Sequence, residues 1–213
     1  MADVDGGGDP RRAHWSGVWR RKQPQQTSWY QAGPETSLAL IDAAAPGIDR
    51  PIVDIGGGAS LLVDRLLALG YRDLTVLDIA AEALDHARAR LGTAAAQVHW
   101  ITADITCWTP PRRYALWHDR AVFHFLTEAA DQAAYGRALR AGLAADGQAV
   151  IATFALDGPE TCSGLPVRRH DPDSLVAALG GGLDVLEARQ EVHLTPAGGR
   201  QSFQWCRLAP ASR

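Results

Sequence analysis

The chain of 213 residues contains no asparagine and a single lysine, Lys22. The scarcity of lysine excludes a phosphate-binding G-x-x-x-x-G-K-[ST] loop, because no lysine follows any glycine run. The absence of asparagine removes every chemistry that depends on that side chain. Cysteine is also sparse: Cys107, Cys162 and Cys206 are odd in number, widely spaced and form no C-x-x-C pair. Neither a disulfide framework nor a zinc knuckle is indicated, no metal site is expected, and a reducing compartment fits best. Basic charge is not in excess, the formal net charge being -3, so no positive field is available to hold a polyphosphate, and nucleic acid is disfavoured as a partner. No apolar run is long enough to span a bilayer, and "MADVDGGGDPRR" at the start lacks the apolar stretch of a signal peptide. The expectation is a soluble, cytoplasmic protein with no membrane association.

What is present is a hydrophobic fraction of 46%, enough for one sizeable core. Residues 1–13, rich in Gly, Asp and Arg, are expected to be a disordered tail. Residues 14–50 read as a helical lid segment: a short aromatic-bearing helix from near Trp15, a polar loop, and a helix from near Pro34 with Leu38 and Ile41 on one face. From residue 51 to 213, strands alternate with helices: "PIVDI", "LTVLDI", "QVHWITADI", "YALWHDR" and "GQAVIATFAL" are five strands with amphipathic segments between them. "LDVLEARQEVHL" and "RQSFQWCRLA" then follow, joined by "TPAGG", short enough for a hairpin. This alternation predicts a single α/β domain, a Rossmann-like three-layer sandwich. Its mostly parallel seven-stranded sheet should end in an antiparallel C-terminal hairpin strand.

The glycine turn after the first strand, "VDIGGGAS", is the most informative stretch. A dinucleotide fingerprint needs G-x-G-x-x-G, and counting from Gly56 puts Leu61 where the third glycine belongs. What fits instead is an acid, Asp54, followed by Gly56, Gly57 and Gly58, which let a ligand approach the backbone closely. A carboxylate would repel a pyrophosphate and attract an amine, so the ligand should be cationic at this point. Asp78 ends the second strand, about 20 residues beyond the glycines, where an acid accepts hydrogen bonds from ribose hydroxyls. The alternative for Asp78 is a turn residue or a helix cap. Asp104 in "ITADI" is placed to accept from an adenine amino group while Ile105 packs on the ring, or else simply caps a loop.

Three carboxylates at successive strand ends, facing an amine, a ribose and an adenine, describe S-adenosylmethionine. The chain resembles the class I, seven-strand methyltransferases from Trp15 onward, with "VDIGGGAS", "TVLDIA", "ADI" and "LWHDRAVFHFL" as successive motifs and a terminal β-hairpin. Ser60 stands where a third glycine is usual. The resemblance implies a methyl transferase using S-adenosyl-L-methionine, with Asp54, Gly56, Gly57, Gly58, Asp78, Ile79, Asp104, Ile105 and Asp119 around the cofactor.

The acceptor is approached by exclusion. Enzymes acting on exocyclic base amines carry Asn or Asp before Pro-Pro and an aromatic where this chain has "DRAVF", and metal-dependent catechol enzymes require an asparagine. A small-molecule O, N or S nucleophile is the first expectation. A protein lysine is the second, because the layout and tryptophan positions are similar to elongation-factor lysine methyltransferases and their bacterial relatives. Asp119 is expected to face the methyl group and to orient or deprotonate the acceptor, or else to make a structural hydrogen bond. His124 is either a base near neutral pH or a satisfied core histidine, and His118 should point to the opposite face from Asp119. Trp29 and Tyr30 are lid aromatics over the cofactor or ordinary core residues. Cys162 is a candidate to line the acceptor pocket.

Overall fold

The computed structural model describes residues 9–211. The expected tail of residues 1–13 lies partly outside them, and its described part is not a tail. Helix α1 runs over Pro10–Arg21: the Asp9 side chain accepts from the Arg11 amide at 3.0 Å, Pro10 occupies the first turn, and Arg20 and Arg21 sit in the last. Asp-Pro is a helix-start signal that the surrounding polar composition had masked. α1 is strapped to the body by Ser16, whose hydroxyl donates to Glu82 at 2.7 Å, and by Arg20, which donates to the same carboxylate at 2.9 Å. Trp19 packs with Ala59, Ala80 and Ala83 beneath it. Helix α2 spans Glu35–Ala44 and buries Leu40 and Ile41.

The core follows the expected alternation: β1 Ile52–Ile55, α3 Leu62–Ala68, β2 Leu74–Asp78, α4 Ala81–Leu91, β3 Val98–Thr102, β4 Tyr114–Arg120, α5 Ala129–Gly142, β5 Leu143–Phe154, α6 Pro172–Ala178, β6 Leu183–Leu194 and β7 Arg200–Pro210. The sheet has seven strands in the order β3-β2-β1-β4-β5-β7-β6, with β1 to β5 parallel and β7 antiparallel to both its neighbours. Every residue of β1 and β2 is buried because helices cover both faces. One apolar layer joins Val53, Ile55, Trp117, Tyr135 and Leu139 under α5. The other joins Ile52, Val76, Leu116, Leu40 and Leu62 under α2 and α3.

This two-sided burial fixes what each strand end presents. In the parallel register Asp54 lies opposite His118, and Ile55 lies opposite Asp119. Residues so paired share a face, and the next residue along takes the other. Asp54, His118 and Arg120 therefore belong to one face, and Asp119 belongs to the other with Trp117. The strand order reverses between β1 and β4, which opens a crevice at the carboxyl ends of the parallel strands.

One small element was not expected. Thr161–Cys162 pairs with Leu165–Pro166 as a two-residue hairpin closed by Ser163 and Gly164, both at positive φ, 52° and 79°. It folds over the crevice beyond β5.

Candidate active site

Two cavities open at the switch point. The larger, about 290 Å³, reaches from Asp78, Ile79, Asp104 and Ile105 on one side to Arg120 and Cys162 on the other. The smaller, about 70 Å³, lies over the glycine turn and is lined by Asp54, Gly56, Gly57, Tyr30 and His118. Trp29, Trp19, Ile55, Gly56 and Arg120 line both. Trp29 is held upright by edge-on contacts with Trp15 and Trp19, ring centroids 5.8 and 6.0 Å away. The structure thus brings Trp29 and Tyr30 to the cavity walls along with the three acids.

The glycine turn is shaped by those acids. Gly56 adopts φ 64°, and a Cβ there would come within 2.1 Å of Val122. Gly58 adopts φ 37° and lies against β2, where a Cβ would stand 2.6 Å from Asp78 Oδ2. Gly58 lines neither cavity; its role is to let the turn pass over the Asp78 carboxylate. Ser60 lies one residue before Leu61, the N-cap of α3, and its hydroxyl accepts from the Leu62 amide at 3.1 Å.

Asp78 is buried, and its Oδ1 accepts from the Ala80 amide at 2.9 Å. Burial, against that hydrogen bond and reinforced by the negative charge of Asp54, pushes its carboxyl up to about 7. Donors arriving from a ligand would relieve a carboxylate held this way. Asp54 is buried too and takes a hydrogen bond from His118 Nδ1 at 2.7 Å, while His118 Nε2 stands 3.0 Å from the Ser37 hydroxyl. Asp104 Oδ1 accepts from the amide and hydroxyl of Thr106 at 2.7 and 2.8 Å, leaving Oδ2 3.4 Å from Arg11 Nη1. Arg11 also pairs closely with Asp131, so the first turn of α1 is tied to the rim of the larger cavity. These three acids, a cleared backbone at Gly56 and an aromatic wall fit a cationic, ribose-bearing, adenine-bearing group.

Asp119 and His124 do not fit the roles expected of them. Asp119 is fully buried at the end of β4 and lines neither cavity. Its carboxylate accepts from the Val122 amide at 2.9 Å, the Phe123 amide at 3.2 Å and the Tyr135 hydroxyl at 2.6 Å. Burial pushes it up to about 6, against the Tyr135 and amide hydrogen bonds that hold it down. It ties together the turn after β4, where Ala121 is held at φ 68°. His124 is also fully buried, between Phe125 and Phe154, with Nδ1 accepting from the Phe154 amide at 3.4 Å. Burial and the positive field of Arg120 push it down to about 3, so it stays neutral and away from both cavities. Burial is the physical reason for both corrections: Asp119 is satisfied by the turn amides and Tyr135, and His124 is packed between two phenylalanine rings.

Three residues at the site escaped the sequence reading, Arg120, Arg11 and Phe203, and His118 was weighed but turned away from it. For His118 the signal was present, since strand alternation put it opposite Asp119; the error lay in which face carried the crevice. Arg11 was lost to the expected tail. Arg120 lay inside a quoted motif with no role assigned to it, and Phe203 left no motif.

The fold, the reversal point and the acid-lined crevice together define a class I, seven-strand methyltransferase. Residues 52–147 match the family model described as a methyltransferase domain, and the chain carries that domain. No curated protein matches the chain. Among solved structures, the chain is similar to a protein from work on the conversion of a disulfide bond into a thioacetal group during echinomycin biosynthesis, at TM-score 0.73 and 19% identity over 93% of this chain and 92% of that one. It is also similar to the N-methyltransferase NodS from Bradyrhizobium japonicum in complex with S-adenosyl-L-homocysteine, at TM-score 0.71 and 16% identity over 92% and 98%. A third similarity is to the glycopeptide N-methyltransferase MtfA complexed with S-adenosyl-L-methionine, at TM-score 0.63 and 17% identity over 89% and 99%. The protein is an S-adenosylmethionine-dependent methyltransferase. No helix among the described residues is long and apolar enough to cross a membrane.

Proposed function

We propose that the enzyme methylates a small-molecule amine or thiol in the cytoplasm. The observation that carries this reading is the larger cavity, of about 290 Å³, which runs from Asp78 to Cys162 and is lined by α1 on one side and the Thr161–Pro166 hairpin on the other. A concave, partly covered site suits a small acceptor; a lysine on a folded protein calls for an open, flat rim.

In this reading Asp78 accepts from the ribose hydroxyls, Asp104 and Ile105 hold the adenine with Ile79 beside it, and Asp54 faces the amino group beyond the glycine turn. His118 is a positioning residue that holds Asp54 through the 2.7 Å hydrogen bond. Trp29 lines both cavities and offers a ring face to positive charge. When bound, the cofactor supplies a methyl group on a positively charged sulfur, already electrophilic. The protein's share is then to position the acceptor and exclude water. With Asp119 and His124 both turned away, no general base is assigned, and the acceptor atom is one that presents a lone pair near neutral pH.

The test is transfer of isotope-labelled methyl from S-adenosylmethionine into a cell extract split at about 1 kDa, a cut well below domain size. Label in the small-molecule fraction supports the reading. Label confined to lysine of protein would replace it with the second one.

A further inference from the structure

The far half of the larger cavity holds a positive charge, Arg120, that forms no salt bridge among the described residues. Arg120 donates through Nη1 to the Trp29 carbonyl at 2.9 Å, and its guanidinium carbon stands 4.8 Å from the centroid of the Phe203 ring. Its Nε and Nη2 are buried and have no hydrogen-bond partner among the described residues. The acid whose field reaches it, Glu191, is engaged by the Trp205 indole at 2.7 Å. Burial pushes Arg120 down to about 10, which still leaves it charged at neutral pH. A buried guanidinium with two idle donors costs free energy, and a carboxylate oxygen pair is the group that matches the fork.

A second idle atom lies in the same cavity. Gln201 Oε1 is buried without a partner and can accept an N–H or O–H. Arg120 ends β4, and its ring partner Phe203 sits on β7, across β5. The stacked guanidinium therefore leans away from β2 and β3, where Asp78 and Asp104 stand. The cavity thus has an acidic half and a cationic half, with Trp29 and Phe125 among its apolar walls.

We propose that the methyl acceptor is a carboxylic acid with an apolar or aromatic body. Its carboxylate docks on Nε and Nη2 of Arg120, and a neighbouring N–H or O–H is taken by Gln201 Oε1. The proposal rests on reading the cavity as the methyl-transfer site. It concerns the acceptor's charge, which that reading leaves open.

The experiment is calorimetric titration of the full chain, first with S-adenosylhomocysteine, then, once saturated, with phenylacetate, benzoate and indole-3-acetate beside their uncharged amides. We expect at least one acid to bind about tenfold or more tightly than its amide, the worth of a charged hydrogen bond. Arg120→Met should erase that preference and Arg120→Lys should keep part of it, with S-adenosylhomocysteine affinity within about threefold of the parent in both. Gln201→Glu, which places a carboxylate in the same cavity, should abolish acid binding and keep nucleoside binding; it serves where Arg120→Met does not fold. Equal binding of acids and amides, or no binding of any acid, overturns the proposal. So does loss of S-adenosylhomocysteine in Arg120→Lys, which would assign the guanidinium to the cofactor's own carboxylate. Failure of the parent protein to bind S-adenosylhomocysteine would instead overturn the reading of the cavity itself.

Discussion

The two halves of the crevice are built on opposite plans. At the ends of β1, β2 and β3 stand Asp54 and Asp78, with Asp104 just beyond, each within a few residues of its own strand and each held by a local partner or a neighbouring strand. At the ends of β4, β5 and β7 the lining comes from Arg120, Cys162, Gln201 and Phe203, far apart in the chain and gathered only by the antiparallel return of β7. In the proposed reading the first plan takes the cofactor and is written in short motifs. The second takes the acceptor and is written in topology. The same contrast runs through β4, where one residue step separates Arg120, facing the crevice, from Asp119, sealed in the core.

The strongest way to break this contrast is Asp78→Ala. It should weaken S-adenosylhomocysteine binding by about a hundredfold or more, the loss of charge-assisted hydrogen bonds to two hydroxyls, as read by calorimetry. Acid binding at Arg120 would fall with it only if the two halves are coupled.

Next comes the pair His118→Ala and Asp119→Asn, adjacent in sequence and opposite in facing. The first should cost about tenfold in nucleoside affinity by freeing Asp54. The second should leave that affinity unchanged and alter stability. Because Asp119 titrates higher folded than unfolded, its contribution is full below its ordinary range near 3.8 and is lost as pH rises through about 6. Asp119→Asn removes that slope. Melting curves of the two proteins at pH 4 to 7 should therefore converge toward higher pH by an amount on the order of 2 kcal/mol. Equal slopes would place Asp119 in contact with water after all.

A smaller effect is expected from pH on binding. Asp78 is held up at about 7, and its ionised form is the acceptor, so S-adenosylhomocysteine should bind several-fold more tightly at pH 8 than at pH 6. Asp78→Asn, whatever affinity it retains, should show no such change. Smallest is Arg11→Ala, which removes half-exposed ion pairs to Asp104 and Asp131 and should cost about threefold, less in high salt.

The sheet order and the three acids were legible because hydrophobic strands with acids at their ends carry the information locally: "VDIGGG" and "VLDI" need no knowledge of what lies across the sheet. Facing was not legible. Alternation along "LWHDR" separates His118 from Asp119 correctly, but only the register against β1 tells which of the two looks into the crevice. The start of α1 was hidden for a different reason, since a polar run that looks unstructured by composition is organised by one cap, Asp9, and by contacts with α4 some 70 residues away. The Thr161–Pro166 hairpin had its signal in Ser163-Gly164, yet two paired residues on each side are too few for any strand pattern to register.

The strap formed by α1 has a kinetic meaning. Arg11 and Trp15 line the same cavity as Asp78 and Asp104, so a nucleoside bound there lies beneath a helix that begins only one residue after its cap. In the proposed reading, spent cofactor has to pass this helix to leave. Charges on Arg11 and Arg20 and the Ser16 hydroxyl fasten it, together with Trp19, and of these only the charges weaken as ions are added. One side of this fastening lies outside the matched residues 52–147 and the other within them, and added salt should loosen it, read as faster dissociation of S-adenosylhomocysteine at high ionic strength.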